Sequence, residues 1–182
     1  MRTRDQILGL SIVAGLLFPL AASAKLANPA NSEVTFTAAG PAGMKIVGTE
    51  NELKVSDNGP SVVVTAPLQT LKTGISLRDE HVRKALETNQ FPTSELEVQH
   101  SALKAPKAGE TITADATGSL KLHGVTKPTP FHYTATRDGN KIKVTATSHI
   151  NTNDFGIKIP SYLGITVKPD VDIAVKFEIT DG

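Results

Sequence analysis

The feature that most constrains the fold is a strict two-residue alternation of apolar and polar residues. In residues 111–122 (TITADATGSLKL), apolar or small residues occupy every even-numbered position and polar residues occupy the others. Residues 171–179 (VDIAVKFEI) repeat the pattern, with Ala174 as the exception. Such alternation is typical of a β-strand with one face in the core and the other in water. Weaker alternation marks further candidate strands at 34–38, 44–48, 53–55, 62–66 and 96–98.

A β-hairpin is predicted around the dipeptide Asp138-Gly139, which separates two alternating segments. A two-residue turn there would pair Ala135 with Ile142 and Tyr133 with Val144. The apolar residues of both strands would then share one face. A slip of one residue would place lysine side chains against that face, so the register should be well specified.

One segment breaks the two-residue period and predicts a short amphipathic helix over about residues 76–88. In SLRDEHVRKALE, Ser76 and Asp79 have the spacing of a capping box, and Val82 and Leu86 belong to one apolar stripe that also includes Ala85. We therefore expect an all-β protein with a single helix. An antiparallel sheet of this many strands protects its edges by closing into a barrel or folding into a sandwich, and we favour an eight-stranded barrel.

The predicted inner face of this barrel carries few large side chains. An eight-stranded barrel is just wide enough to be filled by side chains or to hold one small ligand. Small residues at many inward positions favour the second outcome, an apolar cavity. The alternative is that opposite walls approach closely over these residues and leave no void. The small inward residues are Ala38, Gly48, Ala66, Ala114, Ala116, Gly118, Ala135, Ala146 and Ser148.

The N-terminus has the organisation of a secretory signal peptide. Two arginines precede the apolar run 7–20, and Ala22-Ser23-Ala24 follows it. A run of this length is shorter than the roughly 20 residues that cross a bilayer. We expect residues 1–24 to be cleaved, residues 25–182 to form the domain, and the mature protein to be periplasmic or secreted without a stable membrane anchor.

Charge and cysteine content narrow the range of partners. The chain has 19 basic and 18 acidic residues, and cleavage would remove two basic residues and one acidic residue, which leaves a formally neutral domain. Nucleic acid and an anionic membrane are therefore poor partners on overall charge alone. The chain has no cysteine, which excludes disulfides and thiolate metal sites and is compatible with export.

Stretches distributed along the chain resemble, in order and spacing, the YceI-like family of secreted lipocalin-like proteins. The resemblance implies a lipocalin-like antiparallel barrel around an apolar tunnel that holds a polyisoprenoid or similar lipid, with no catalytic machinery and no cofactor. The stretches are SEVTF (32–36), ISLRDEHVR (75–83) with FP (91–92), GSLKLHGVTKP (118–128), NDFGIK (153–158) and VDIAVKFEI (171–179).

The candidate ligand-binding residues are the larger apolar residues of the inner face, the small residues between them, and apolar groups of helix and loop segments. Packing in a filled core is the alternative role for all of them. For the interior the candidates are Phe36, Met44, Leu86, Ala116, Leu120, Leu122, Phe131, Tyr133, Ala146, Ile157 and Phe177. For the mouth of the cavity they are Phe91, Phe155, Tyr162 and Leu163.

The histidines do not predict a metal or catalytic site. His123 and His132 should lie on the solvated outer face, and the predicted register places His149 about four residues beyond the partner of His132. Zinc needs at least three protein ligands in most sites, so we predict no metal. His81 and Asp79 accompany no nucleophile motif, so we predict no catalytic residue.

Three functional hypotheses follow. The favoured one is a periplasmic or secreted, non-enzymatic carrier of an isoprenoid or other lipid. The alternatives are a filled-barrel stress-response or interaction protein, and an enzyme that uses His and Asp at the barrel mouth. A homodimer is compatible with each of them.

Overall fold

The computed structural model describes residues 25–27, 29–159 and 167–180. The predicted signal peptide lies outside these residues, so its cleavage remains a prediction. The strands are β1 (Lys25–Ala27), β2 (Ala30–Ala39), β3 (Lys45–Glu50), β4 (Lys54–Asp57), β5 (Ser61–Pro67), β6 (Thr93–Gln99), β7 (Thr111–Leu122), β8 (Val125–Asp138), β9 (Lys141–Asn151) and β10 (Asp170–Thr180). The helix α1 spans Ser76–Ala85, and short 3-10 turns cover Pro41–Gly43, His100–Ala102 and Thr152–Phe155.

Within the described residues, the strands form one antiparallel ten-stranded sheet in the order β1-β4-β5-β6-β7-β8-β9-β10-β2-β3. The sheet curls on itself, because Thr49 of β3 exchanges two backbone hydrogen bonds, of 2.7 and 2.9 Å, with Lys72 in the segment that follows β5. This confirms the predicted class, an all-β antiparallel, lipocalin-like fold with one helix. The strand number is ten instead of eight. One added strand, β1, is three residues long and too short to show an alternation.

The β8–β9 hairpin corrects the predicted register. Asp138 pairs with Lys141, so the loop is Gly139-Asn140 and every pair is shifted by two residues from the prediction. Tyr133, for example, faces Ala146 instead of Val144. Gly139 has φ of 58°, and a glycine at the first central position of a two-residue loop is typical of a type II′ turn. A shift of two preserves the face of every side chain, so the predicted faces stand.

Helix α1 begins without the predicted capping box. Ile75 occupies the N-cap position and makes no side-chain cap, while Ser76 is already helical. Asp79 instead reaches back to Thr73, whose backbone N–H and hydroxyl both donate to its carboxylate, at 2.6 and 2.5 Å. These hydrogen bonds lower the pKa of Asp79. The helix ends before the predicted residue 88, because Glu87 adopts a left-handed conformation with φ of 48°.

The end of the barrel at the β8–β9 turn is covered by the β6–β7 connection. The Tyr133 hydroxyl accepts a 2.7 Å hydrogen bond from the backbone N–H of Lys104. Arg137 Nε donates to the Pro106 carbonyl at 3.0 Å. Tyr133 and Ala135 are buried below this connection. We call the half of the barrel next to the β8–β9 turn, which contains Tyr133 and Ala135, the far half.

Two of the small inward residues make room for protein atoms and not for a void. A Cβ added at Gly48 would lie 2.1 Å from Cε1 of Phe36, its direct partner across β2 and β3. A Cβ at Gly118 would lie 2.8 Å from Leu96 Cδ1 and 2.9 Å from the Glu97 carbonyl oxygen. At these positions atoms of the adjacent strands fill the space, and no approach of an opposite wall is involved.

The replacement Gly48→Ala should destabilise the protein by about 1–3 kcal/mol, because the Phe36 ring must leave its place over the β3 backbone. The control is Gly40→Ala, where the added Cβ would find its nearest neighbour, Met44 Cβ, at an ordinary 3.4 Å. Chemical denaturation of both variants measures the difference. Equal free energies of unfolding for the two variants would contradict the close packing of Phe36 on Gly48.

Candidate functional site

A cavity of about 510 Å³ lies at the end of the barrel opposite the β8–β9 turn. Its wall includes residues at or near the ends of β2, β5, β7 and β9, namely Ala38, Pro67, Leu122 and Ile150. In an antiparallel sheet the next strands begin where these end, and Ile46, Ser94 and Val171 contribute from the beginnings of β3, β6 and β10. The cavity therefore occupies one half of the barrel.

Helix α1 covers the cavity from one side. The predicted apolar stripe of Val82, Ala85 and Leu86 faces the cavity, which confirms that interpretation of the sequence. Ile75 and Leu77 extend the same lining to the beginning of the helix. No residue of the helix is fully buried, so the helix covers the cavity without filling it.

The lining is mostly apolar, and the one carboxylate among its described residues is engaged by hydrogen bonds. Glu50 is only 4% exposed. Its Oε1 accepts from the backbone N–H groups of Asn51 and Glu52, at 2.8 and 2.7 Å, and its Oε2 accepts from the Thr70 hydroxyl at 2.5 Å. The Glu50 carboxylate thus holds the chain at the C-terminal end of β3 and has little hydrogen-bonding capacity left for a ligand. The other ionisable residues of the lining are Arg78, His81 and Lys168.

Arg78 and Asp79 hold the beginning of the helix beside the cavity. Arg78 Nη2 donates to the Thr73 carbonyl at 2.5 Å, while Thr73 donates to Asp79. The Arg78 Nε is buried, and the described residues offer it no hydrogen-bond partner. This polar anchor fixes Ile75 and Leu77 at the edge of the cavity.

The structure brings together four of the candidate ligand-binding residues in the cavity wall: Phe36, Leu86, Leu120 and Leu122. Phe155 and Ile157 are buried beside this wall, in the core cluster that contains Leu120 and Leu122. Tyr162 and Leu163 lie outside the described residues.

The remaining candidates lie away from the cavity. Met44 is 53% exposed, and Phe91 packs against the His123 ring at 4.7 Å between centroids. The others belong to the inner face but do not contact the cavity: Ala116, Phe131, Tyr133, Ala146 and Phe177. Alternation predicts which face of a strand a residue belongs to, but it does not predict which half of the barrel the residue lies in. For this reason the sequence did not distinguish the two halves.

Several lining residues were missed because they precede or follow the regular strands. Leu68 and Leu71 lie just after β5, and Val167 lies just before β10. They fall in irregular segments that have no periodicity. The sequence signal that could have found them is their position next to the ends of alternating segments.

His123 is not on the solvated face, which corrects the prediction. Its side chain is 13% exposed, and its Nδ1 lies 3.1 Å from the Phe155 carbonyl oxygen. Its Nε2 lies 3.7 Å from the Glu87 carboxylate. His123 and Gly124 both have positive φ, the type I′ arrangement of a two-residue hairpin loop. The histidine therefore joins the β7–β8 turn to the segment after β9 and to the end of α1.

His132 and His149 lie on the outer face, each beside a carboxylate. His132 Nδ1 is 2.8 Å from Asp115, and His149 Nδ1 is 2.8 Å from Asp172. In the observed register His132 pairs with Thr147, so His149 lies two residues beyond that partner instead of four. Across the part of the chain that the structure describes, no group of three or more His, Cys, Asp or Glu side chains is placed to hold a metal ion.

Comparison with known proteins relates this architecture to a family. The family model described as the YceI-like domain matches residues 26–179. A UPF0312 protein of Pseudomonas putida (strain W619) is 39% identical over 107 residues, which cover 54% of this chain and 52% of that protein. The chain thus spans about half the length of the curated relatives it matches.

Solved structures share the fold. A polyisoprenoid binding domain from Saccharophagus degradans, implicated in plant cell wall breakdown, matches with a TM-score of 0.72 and 17% identity over 86% of this chain and 97% of that one. Burkholderia cenocepacia BcnA matches with a TM-score of 0.66 and 14% identity over 82% of this chain and 96% of that one. At these identities the likeness shows the fold alone. None of the helices among the described residues has the length and apolar character needed to cross a membrane.

The pair of His149 and Asp172 on the outer face predicts a pH dependence of stability. The hydrogen bond that His149 donates to the Asp172 carboxylate raises the pKa of His149. A raised folded-state pKa contributes stability that is present below the unfolded pKa and is lost as the pH rises through the folded value. The variant His149→Gln should therefore lower the melting temperature more at about pH 5.5 than at about pH 8.5. An equal loss at both pH values would contradict this ion pair.

Proposed function

Because the chain belongs to the YceI-like family, we propose that it binds a long apolar molecule of the polyisoprenoid class in the cavity under helix α1. The observation that carries the proposal is an apolar cavity at one end of the barrel, in which Glu50, the one carboxylate among the described lining residues, is engaged by the protein itself. The polyisoprenoid-binding domain with the same fold supports the ligand class.

The size of the cavity is compatible with a bound apolar ligand or with part of a longer one. Small-molecule sites typically measure about 300–1,000 Å³, and this cavity lies within that range. Burial of apolar surface contributes about 25 cal/mol per Å², which is offset in part by the cost of association. An isoprenoid chain of several units would bury its tail among Phe36, Leu120 and Leu122 and leave its head at the mouth.

The proposal describes a carrier, not a catalyst. The lining offers hydrophobic contact along most of its surface, and affinity of that kind does not depend on a reacting group. In the far half, the β6–β7 connection covers Tyr133 and Ala135, so we propose the ligand site only for the half under helix α1. His81 of the enzyme alternative does lie in the lining, but the lining is mostly apolar and favours binding.

The same proposal includes export. Residues 1–24 have the pattern of a signal peptide, and a periplasmic carrier would meet isoprenoids that leave or enter a membrane. N-terminal sequencing of the protein from a periplasmic fraction would identify residue 25 as the first residue. Recovery of residues 1–24 on the mature protein would contradict cleavage.

Organic-solvent extraction of the purified protein followed by mass spectrometry tests the function directly. We expect an isoprenoid or similarly apolar lipid in the wild type. The variant Ala38→Phe should lower its occupancy at least about five-fold, because Ala38 is buried in the cavity wall and the ring would occupy the cavity.

The matched control is Ala114→Phe, the same substitution on the inner face of β7 in the far half. It should leave occupancy within about two-fold of the wild type, even where overpacking lowers stability. The proposal fails if the wild type neither carries an apolar lipid nor binds an added prenyl alcohol. Equal occupancy in Ala38→Phe and the wild type would also exclude this cavity as the binding site.

A further inference from the structure

We propose that the cavity mouth docks on the surface of an anionic lipid bilayer, so that the ligand passes between membrane and cavity without crossing water. This inference rests on the proposed function, because it concerns how the ligand reaches the same cavity. Its occupant is a bilayer, and a protein partner is the competing outcome of the test below.

The first observation is that two large apolar residues at the mouth are exposed. Ile75 is 54% and Leu77 is 59% exposed, yet both also line the cavity. Each side chain therefore contacts solvent on one side and the cavity on the other. A rim of this kind extends the apolar surface of the cavity to the outside, where a bilayer interface could bury it.

The second observation is that the rim is held in place. Ile75 is the N-cap residue of α1, and the preceding Thr73 is fixed by three hydrogen bonds to Arg78 and Asp79. The exposed side chains are thus presented by an anchored helix end. Presentation by a fixed element lowers the entropic cost of inserting them into a headgroup layer.

The third observation is the sign of the charge at the mouth. The charged residues of the lining are Arg78, Lys168 and Glu50, and the carboxylate of Glu50 accepts three hydrogen bonds from its own wall. Arg78 is held by the Thr73 carbonyl, so the exposed Lys168 is the cation of the described lining that remains to interact with a partner. A surface cation close to an anionic membrane contributes about 1 kcal/mol, which corresponds to about a five-fold change in binding.

Continuity with the cavity favours a bilayer over a protein partner. An isoprenoid dissolves in the acyl region of a membrane, and the rim joins that region to an apolar cavity through Ile75 and Leu77. A protein surface would bury the same two side chains but has no acyl region in which an isoprenoid dissolves.

Vesicle co-sedimentation of the purified, solvent-extracted protein tests the inference. The vesicles are phosphatidylcholine alone, or phosphatidylcholine with about a quarter of phosphatidylglycerol. We expect the wild type to bind the anionic vesicles more strongly. The double variant Ile75→Ser/Leu77→Ser should bind them about ten-fold more weakly, because two exposed apolar groups no longer enter the interface.

The chain provides a matched control for exposure. Met44 and Val47 are 53% and 41% exposed and do not line the cavity, so Met44→Ser/Val47→Ser should bind vesicles within about two-fold of the wild type. For charge, Lys168→Gln should weaken binding to anionic vesicles about five-fold, while Lys143→Gln, near the opposite β8–β9 turn, should not. All variants have the same N-terminal sequence, so any difference in vesicle binding between them is caused by the substituted residues.

Two results would overturn the inference. One is equal vesicle binding by the wild type and the Ile75/Leu77 double variant. The other is a wild type that binds neither vesicle but whose rim crosslinks to a protein, which would assign the rim to that protein. Solvent extraction of the protein as purified distinguishes failure of the docking inference from failure of the proposed function. If the purified protein contains a lipid but does not bind vesicles, only the docking inference is contradicted.

Discussion

The pleat of the β-strand is the constraint on which the whole structure depends. Because side chains alternate between faces, the four longest strands β7 to β10 place their apolar residues on one concave side. A concave apolar face of this length must be covered. The β6–β7 connection covers one half and helix α1 covers the other, and the difference between these two covers creates the cavity.

The two covers differ in how they are attached. The β6–β7 connection lies against Tyr133 and Arg137 through direct hydrogen bonds, and Tyr133 and Ala135 are buried below it. Helix α1 is attached through its first turn, by Arg78 and Asp79 to Thr73, and no residue of the helix is fully buried. A helix anchored by polar bonds at one end stays in place without inserting large side chains. The space below it remains available to an apolar ligand.

Much of the fold could be predicted from the sequence because it depends on local periodicity. The alternation of 111–122 and 171–179 predicted β7 and β10, and the apolar stripe of α1 predicted the face that lines the cavity. The register of the β8–β9 hairpin was wrong, because the turn is Gly139-Asn140 and not Asp138-Gly139. A dipeptide allows either placement of the glycine, and only the pairing of the whole strands decides between them.

The candidate site was predicted only in part because it depends on position along the strands. Phe36, Leu120 and Leu122 line the cavity, while Ala116 and Ala146, which have the same alternation, lie in the other half. Gly48 and Gly118 are small because neighbouring atoms approach them closely, which composition cannot distinguish from an empty space. His123 was placed in solvent by its strand pattern, yet the left-handed turn at 123–124 brings its ring into contact with Phe91.

Methyl-resolved NMR of the protein titrated with a short prenyl alcohol, farnesol, tests the central claim most directly, because it locates an apolar ligand within the barrel. The account predicts saturable shift changes at the methyl groups of Ile46, Leu71, Leu122 and Val171, all in the cavity wall. The methyl groups of Ile112, Val144 and Val175, on the inner face outside the cavity, should shift little. Equal shifts along the whole inner face, or none at the four cavity residues, would contradict a ligand site confined to the half beneath helix α1.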